Sequence, residues 1–257
     1  MPLGTFKIGG YMKKSVFVLA LIIGINFPID SSALETANEL LKRVDSKLMP
    51  ESYEAYRRLI NEEPNGKKKE YTFFTLKKGT DKVALLYLAP ASEKGRSTLR
   101  LGENMWLFIP NVNKPVRITS LQSVVGGVFN NADIMAVEYS AEYDAEYDSE
   151  TSKERILNLK AKNKTVTYDK LKMWITKNGE YLRKVECYGS SGVLIKTLEF
   201  KDDKNFGGGI FRPSVIETHS PLYKDYRSTI IYEKIRAKKI QPEAFTLPFM
   251  GRLKEFQ

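Results

Sequence analysis

Apolar positions recur along this chain with two spacings, and the change between them comes near residue 50. Between residues 36 and 46, Thr36, Leu40, Leu41 and Val44 share one helical face, with Glu39, Lys42, Arg43 and Asp45 around the rest. Met49-Pro50 ends that helix. Beyond it the pattern becomes alternation broken by tight turns. Residues 53–61 and 69–77 flank Glu63-Pro64-Asn65-Gly66, a hairpin signature because Asn-Gly accepts positive φ. Lys78-Gly79-Thr80-Asp81 turns the chain into a strand at 83–88, and Gly102-Glu103-Asn104 joins strands at 97–101 and 105–109. Residues 118–133 are rich in Gly and Asn and read as loop, with a short helix at 129–135. Six further strands are predicted at 155–161, 165–176, 181–188, 194–200, 211–218 and 226–236, with turns such as Lys177-Asn178-Gly179 and Gly207-Gly208-Gly209 between them. Short antiparallel strands at this spacing make a barrel or a sandwich.

Some of these strands are apolar on both faces. Met105, Leu107 and Ile109 oppose Trp106 and Phe108, and Leu171, Met173 and Ile175 oppose Tyr168 and Trp174. An antiparallel sheet with one wet face needs apolar residues on the other face only, so the second face here requires a cover. The helix at 36–46 and the loop at 120–135 are the covers the sequence offers. Two arrangements satisfy the pattern at this point: a filled sandwich core, or a curved sheet that leaves a cavity beneath its cover.

The N-terminus carries an address. Met12-Lys13-Lys14 forms a short positive region, residues 15–27 are almost wholly apolar, and Ser31-Ser32-Ala33 supplies small residues for signal peptidase. The apolar run is shorter than the roughly 20 residues a membrane-spanning helix needs. A signal peptide cleaved before Leu34 is therefore predicted, with residues 1–11 as an upstream extension, leaving a single domain at 34–257 in the periplasm. No cysteine lies near the cleavage point, so no lipid anchor is expected there. Lys7, Lys13, Lys14 and Asp30 leave with residues 1–33, taking the chain from 41 basic and 31 acidic residues to 38 and 30, a net charge of +8. A basic surface in that compartment suits anionic lipid headgroups or an acidic partner better than nucleic acid.

Catalytic chemistry finds little to work with. The single histidine, His219, stands beside Ser220-Pro221 without a nucleophile elbow, and its hydrolase reading ranks last. One histidine and one cysteine exclude the usual histidine-based metal sites, and no cofactor is expected. Cys187 lies in the apolar phase of its strand and is expected to be buried and inert. The acidic run 138–150 repeats every four residues, with tyrosines at 139, 143 and 147 and glutamates at 138, 142 and 146; it lacks the spacing and glycine of a calcium loop and reads as a solvated segment leading into a strand.

The block Gly95-Arg96-Ser97-Thr98-Leu99-Arg100-Leu101-Gly102-Glu103-Asn104-Met105-Trp106-Leu107-Phe108-Ile109-Pro110 resembles the outer-membrane lipoprotein-sorting protein family, relatives of the periplasmic carrier LolA. Leu88-Ala89-Pro90-Ala91, Pro115-Val116-Arg117-Ile118 and Gly127-Val128-Phe129-Asn130-Asn131-Ala132-Asp133-Ile134 fit the same pattern, although Asn131-Ala132 stands where the family more often has Gly-Ser. The resemblance runs from about residue 37 to 253. It implies a mainly β (α+β) fold, a half-open antiparallel β-barrel with helices as a lid over a hydrophobic cavity. It also implies a non-enzymatic carrier that shields lipoprotein acyl chains or another lipid. Leu99, Leu101, Trp106, Phe108, Met173 and Ile175, from the strands that are apolar on both faces, are the expected cavity residues. Arg96, Arg100 and Arg117 are the expected headgroup or lid contacts. Partners would be the lipid itself, with an inner-membrane exporter as donor and an outer-membrane acceptor. The competing reading is an interaction or sensor module docked on an exporter or signalling protein.

Overall fold

Thr36 and Glu39 start the first helix by capping each other: the Thr36 hydroxyl accepts from the Glu39 amide, and the Glu39 carboxylate accepts from the Thr36 amide. Helix α1 (Ala37–Leu48) then buries Leu40, Leu41 and Val44 of the predicted stripe and also Leu48, with Thr36 standing just outside it as the cap. The computed structural model describes residues 35–257 together with Met1, Gly4 and Gly9; the signal segment expected at residues 12–33 lies outside the described residues. No helix among the described residues is long and apolar enough to cross a membrane.

Thirteen antiparallel strands follow in two meanders. The first is β1 (Ser52–Glu62), β2 (Lys68–Lys78), β3 (Lys82–Ala89), β4 (Ser97–Leu101), β5 (Asn104–Phe108) and β6 (Pro115–Ile118). A connection across residues 119–142 contains two single-turn helices, α2 (Asn131–Ile134) and α3 (Tyr139–Glu142). The second meander is β7 (Tyr143–Glu150), β8 (Glu154–Ala161), β9 (Lys170–Thr176), β10 (Leu182–Tyr188), β11 (Leu194–Gly207), β12 (Ile210–Ser220) and β13 (Tyr223–Ala237). Pairing of β1 with β13 fuses the two into one sheet, ordered β6-β5-β4-β3-β2-β1-β13-β12-β11-β10-β9-β8-β7. The end strands β6 and β7 do not pair with each other, so the barrel stays open.

The sheet must curl. Laid flat, thirteen strands would be ~58 Å across, while α1 is only ~18 Å long. Yet residues from both ends of the sheet, Met105 on β5 and Tyr143 on β7, join Leu40, Leu41 and Val44 of α1 in one buried cluster. This inner face is the one that α1 and the 119–142 connection cover.

The predicted covers therefore sit over one face, and a different element seals the other. Phe74, Leu76, Ala84, Leu86 and Leu99 point outward from β2, β3 and β4 into a second buried cluster with Ile240, Phe245, Met250 and Leu253. Those last residues belong to or precede two 3-10 helices, Pro242–Phe245 and Leu247–Phe256. Other differences from the sequence reading are local. β6 is a strand by its backbone pairing with β5, although three of its four residues are exposed. The acidic run is not wholly solvated: Tyr143 and Ala145 are buried and Tyr139 packs against the inner cluster, while of its three tyrosines Tyr147 stands exposed. β9 is shorter than predicted, and β11 is longer because its hairpin with β12 extends to Gly207.

Candidate functional site

The inner face holds a partly open cavity between the end of α1, the 119–142 connection and strands β9 to β13. Its apolar wall is made by Phe129, Leu171, Val185, Leu198, Phe200 and Ile230, and its cover by Leu48, Ala132, Ala136 and Tyr139. Its free volume is about 60 Å³. Ligand pockets run to about 300 Å³ and more. The space is too small for an acyl chain in this conformation, so a chain would fit only if the cover moves.

Polar side chains hold that cover, and nearly all come from inward phases of the sheet. Arg57 on β1 donates from Nη1 to the Ile134 carbonyl at 2.9 Å. Arg100 on β4 donates to the Met135 carbonyl at 3.1 Å and pairs with Glu142. Lys77 on β2 pairs with Glu138 at 2.9 Å. Lys196 on β11 pairs with Asp133 at 2.8 Å and also donates to the Val128 carbonyl. Arg212 on β12 donates to the Leu48 carbonyl at the end of α1. Asp45 of α1 completes the set by accepting from the amides of Tyr139 and Ser140 at 2.9 and 2.7 Å. The seal thus has two characters, apolar packing that resists opening and polar contacts whose groups water or a ligand can replace.

Burial pushes the Asp45 carboxyl up to about 6, against the amides of Ser140 and Tyr139 that favour its ionised form. Because the folded value exceeds the unfolded one of about 3.8, the native state holds this proton more tightly. The contribution is fully present below pH 4 and is lost as pH rises through 6, a swing of about 3 kcal/mol. Asp45→Asn is expected to remove that swing. Urea unfolding at pH 4.5 and 7.5 checks it: the gain in stability on acidification should be larger in the parent protein by about 2 kcal/mol, and equal gains would refute the assignment.

The residues expected to form the site are divided by the fold. Leu99, Leu101, Trp106 and Phe108 lie on the outer face under the 3-10 helices, and none lines the cavity. Met173 and Ile175 are fully buried in the inner cluster, beside the wall but not on it. Arg100 touches the cover as described. Arg96 pairs with Glu93 and stacks its guanidinium 5.4 Å from the Tyr87 ring centroid, and Arg117 is exposed, bonded to Asn104. Arg57, Lys77, Lys196 and Arg212 escaped the sequence reading. The available signal was a basic residue in step with apolar ones, as in Ala55-x-Arg57-x-Leu59 and Phe73-x-Thr75-x-Lys77.

The larger open space, about 740 Å³, is a polar groove outside β11 to β13 that contains His219. There the hydroxyls of Thr218 and Ser220 donate to the carbonyls of Thr197 and Ile195. Neither of these bonds involves His219. Cys187 is fully buried and lines the inner cavity; burial raises its thiol well above the usual range. Among the described residues no cluster of His, Cys, Asp and Glu is arranged to hold a metal ion.

A family model described as a "-like" uncharacterized protein matches residues 79–252, more than half of the chain. No curated protein matches the sequence. Among solved structures, the chain is similar to a LolA superfamily protein from Nitrosomonas europaea, with TM-score 0.76 and 25% identity over 84% of this chain and 99% of that one. It is also similar to a DUF1329 family protein from Desulfovibrio piger, with TM-score 0.74 and 19% identity over 83% and 97% of the two chains. A third, described as an outer membrane lipoprotein-sorting protein domain from Vibrio parahaemolyticus, has TM-score 0.71 and 18% identity over 84% and 98%. The half-open, helix-covered barrel is thus the architecture of these proteins as well.

Proposed function

The chain belongs to the family of uncharacterized proteins whose model covers residues 79–252 and has the LolA superfamily fold, and from that premise we propose that it is a periplasmic carrier that takes the acyl chain of a lipoprotein or another lipid under its cover. The observation that carries this reading is the apolar cavity beneath a cover fixed by exchangeable polar contacts. The similar Vibrio parahaemolyticus protein is described as an outer membrane lipoprotein-sorting protein domain, and the signal peptide read at residues 12–33 supports delivery to the periplasm. No reacting group enters the reading, which is non-enzymatic.

The energetics suit a reversible carrier. Each methylene taken from water gains about 0.8 kcal/mol, so half of a sixteen-carbon chain offsets several of the contacts that hold the cover. The resting volume is too small for a chain, so loading populates an open state that the ligand binds better. Titration of the protein with cis-parinaric acid tests this. Saturable fluorescence enhancement at one probe per chain, reversed by palmitate, is expected. Enhancement that is weak, non-saturable and indifferent to palmitate would refute the carrier reading.

A further inference from the structure

The five cations that hold the cover are not equivalent. Lys77, Arg100 and Lys196 each have a carboxylate, from Glu138, Glu142 and Asp133. Arg57 and Arg212 are 3% and 2% exposed, and neither is paired with a carboxylate among the described residues. They flank one aromatic ring, with guanidinium carbons 5.6 and 4.2 Å from the centroid of Tyr232. Arg57 uses Nε and Nη2 on the Thr75 hydroxyl, at 3.0 and 2.7 Å, and Nη1 on the Ile134 carbonyl. Arg212 uses Nε on the Pro213 carbonyl at 3.1 Å and Nη1 on the Leu48 carbonyl.

Two of those acceptors belong to the cover. Ile134 ends α2 and Leu48 ends α1, and the carbonyl end of the longer helix carries the partial negative charge that suits Arg212 while the interior is closed. When the cover lifts to admit a chain, both guanidiniums lose those carbonyls and face the space that Arg212 and Tyr232 already line. A fixed buried charge without a counter-ion is costly, and an interior built for alkyl chains alone gains nothing from two of them. Burial alone would raise the Tyr232 phenol, yet the nearby guanidiniums of Arg212 and Arg57 outweigh it and lower it, as a locally positive potential requires.

The geometry points to Arg57, Arg212 and the Tyr232 hydroxyl as a receptor for an anionic head on an acyl-chain ligand, a single carboxylate or phosphate that enters the interior head first. The inference rests on the carrier reading and narrows its cargo. Cover and head compete for the same N–H groups, so the anion replaces the cover's carbonyls and favours the open state, whereas a neutral head leaves that exchange unmade.

Calorimetric titration with four sixteen-carbon ligands delivered from cyclodextrin tests it: palmitate, palmitoyl-lysophosphatidate, monopalmitoylglycerol and hexadecanol. At least one anionic ligand should bind tenfold or more tightly than both neutral ones, and the tighter of the two anions identifies carboxylate or phosphate. Arg57→Met and Arg212→Met should cut that preference below threefold by weakening the anions, while the neutral ligands, with one cover contact fewer to break, bind no more weakly than to the parent. Tyr232→Phe, a milder change, should weaken only the anions. Hydrogen exchange at residues 131–142 should quicken with the preferred anion more than with monopalmitoylglycerol. Equal binding of all four ligands, or a preference that survives both arginine substitutions, would overturn the head receptor and leave the carrier standing. Failure of all four to bind would overturn the carrier reading itself, and the receptor with it.

Discussion

Asp133→Ala is expected to destabilise the protein by about 3–5 kcal/mol. Its carboxylate and the Lys196 ammonium are each only 4% exposed and lie 2.8 Å apart. Asp133 also accepts from the Asn130 amide that starts α2 and from the Tyr168 hydroxyl, both at 2.9 Å. Truncation leaves Lys196 with the Val128 carbonyl alone in an apolar surround, and a buried charge stripped of its partner is among the costliest single losses. The double variant Asp133→Ala with Lys196→Met removes the orphaned charge and should recover most of the deficit, because apolar replacement of a whole buried pair is close to neutral. Urea unfolding of the two variants checks both numbers. A loss below about 1 kcal/mol for Asp133→Ala would mean that water reaches the pair and that the cover does not seal the interior.

Leu99→Ala separates the two faces of the sheet. Leu99 is fully buried in the cluster beneath the C-terminal 3-10 helices, so its truncation should cost about 2–5 kcal/mol by lost burial and the cavity left behind. Acyl-chain affinity of the folded variant should stay within twofold of the parent, because this cluster lies across the sheet from the cavity. If Leu99→Ala spares stability and abolishes chain binding, the ligand occupies the outer cluster and the site has been placed on the wrong face.

That possibility of confusing the faces explains what the sequence could and could not convey. Strand order and hairpins were readable because Asn65-Gly66 and Gly102-Glu103-Asn104 punctuate clean alternation, and strand β4 was placed at its observed bounds. Which face looks inward was not readable. Leu99 and Trp106 share an apolar phase that suits either side, and the deciding element, residues 240–256, has no helical or strand period because it forms 3-10 turns. Strand β6 was missed because exposed Pro115, Val116 and Arg117 carry no burial pattern and pair through backbone alone. Arg57, Lys77, Lys196 and Arg212 were not singled out, since hydropathy treats a lysine or arginine as outward wherever it falls. The acidic repeat at 138–150, read as a solvated segment leading into a strand, is itself strand from Tyr143 onward: alternation buries Tyr143 and Ala145, while Tyr147, in the same phase, stands exposed beside the register shift that follows it.

The central claim is that a cavity of about 60 Å³ becomes a lipid site when the cover yields. Native mass spectrometry of the detergent-free protein, before and after incubation with phospholipid vesicles, measures this most directly. One added acyl-lipid mass per chain, present on purification or gained from the vesicles, is the expected result. A chain that keeps its bare mass in both samples, with its fold intact, would contradict it.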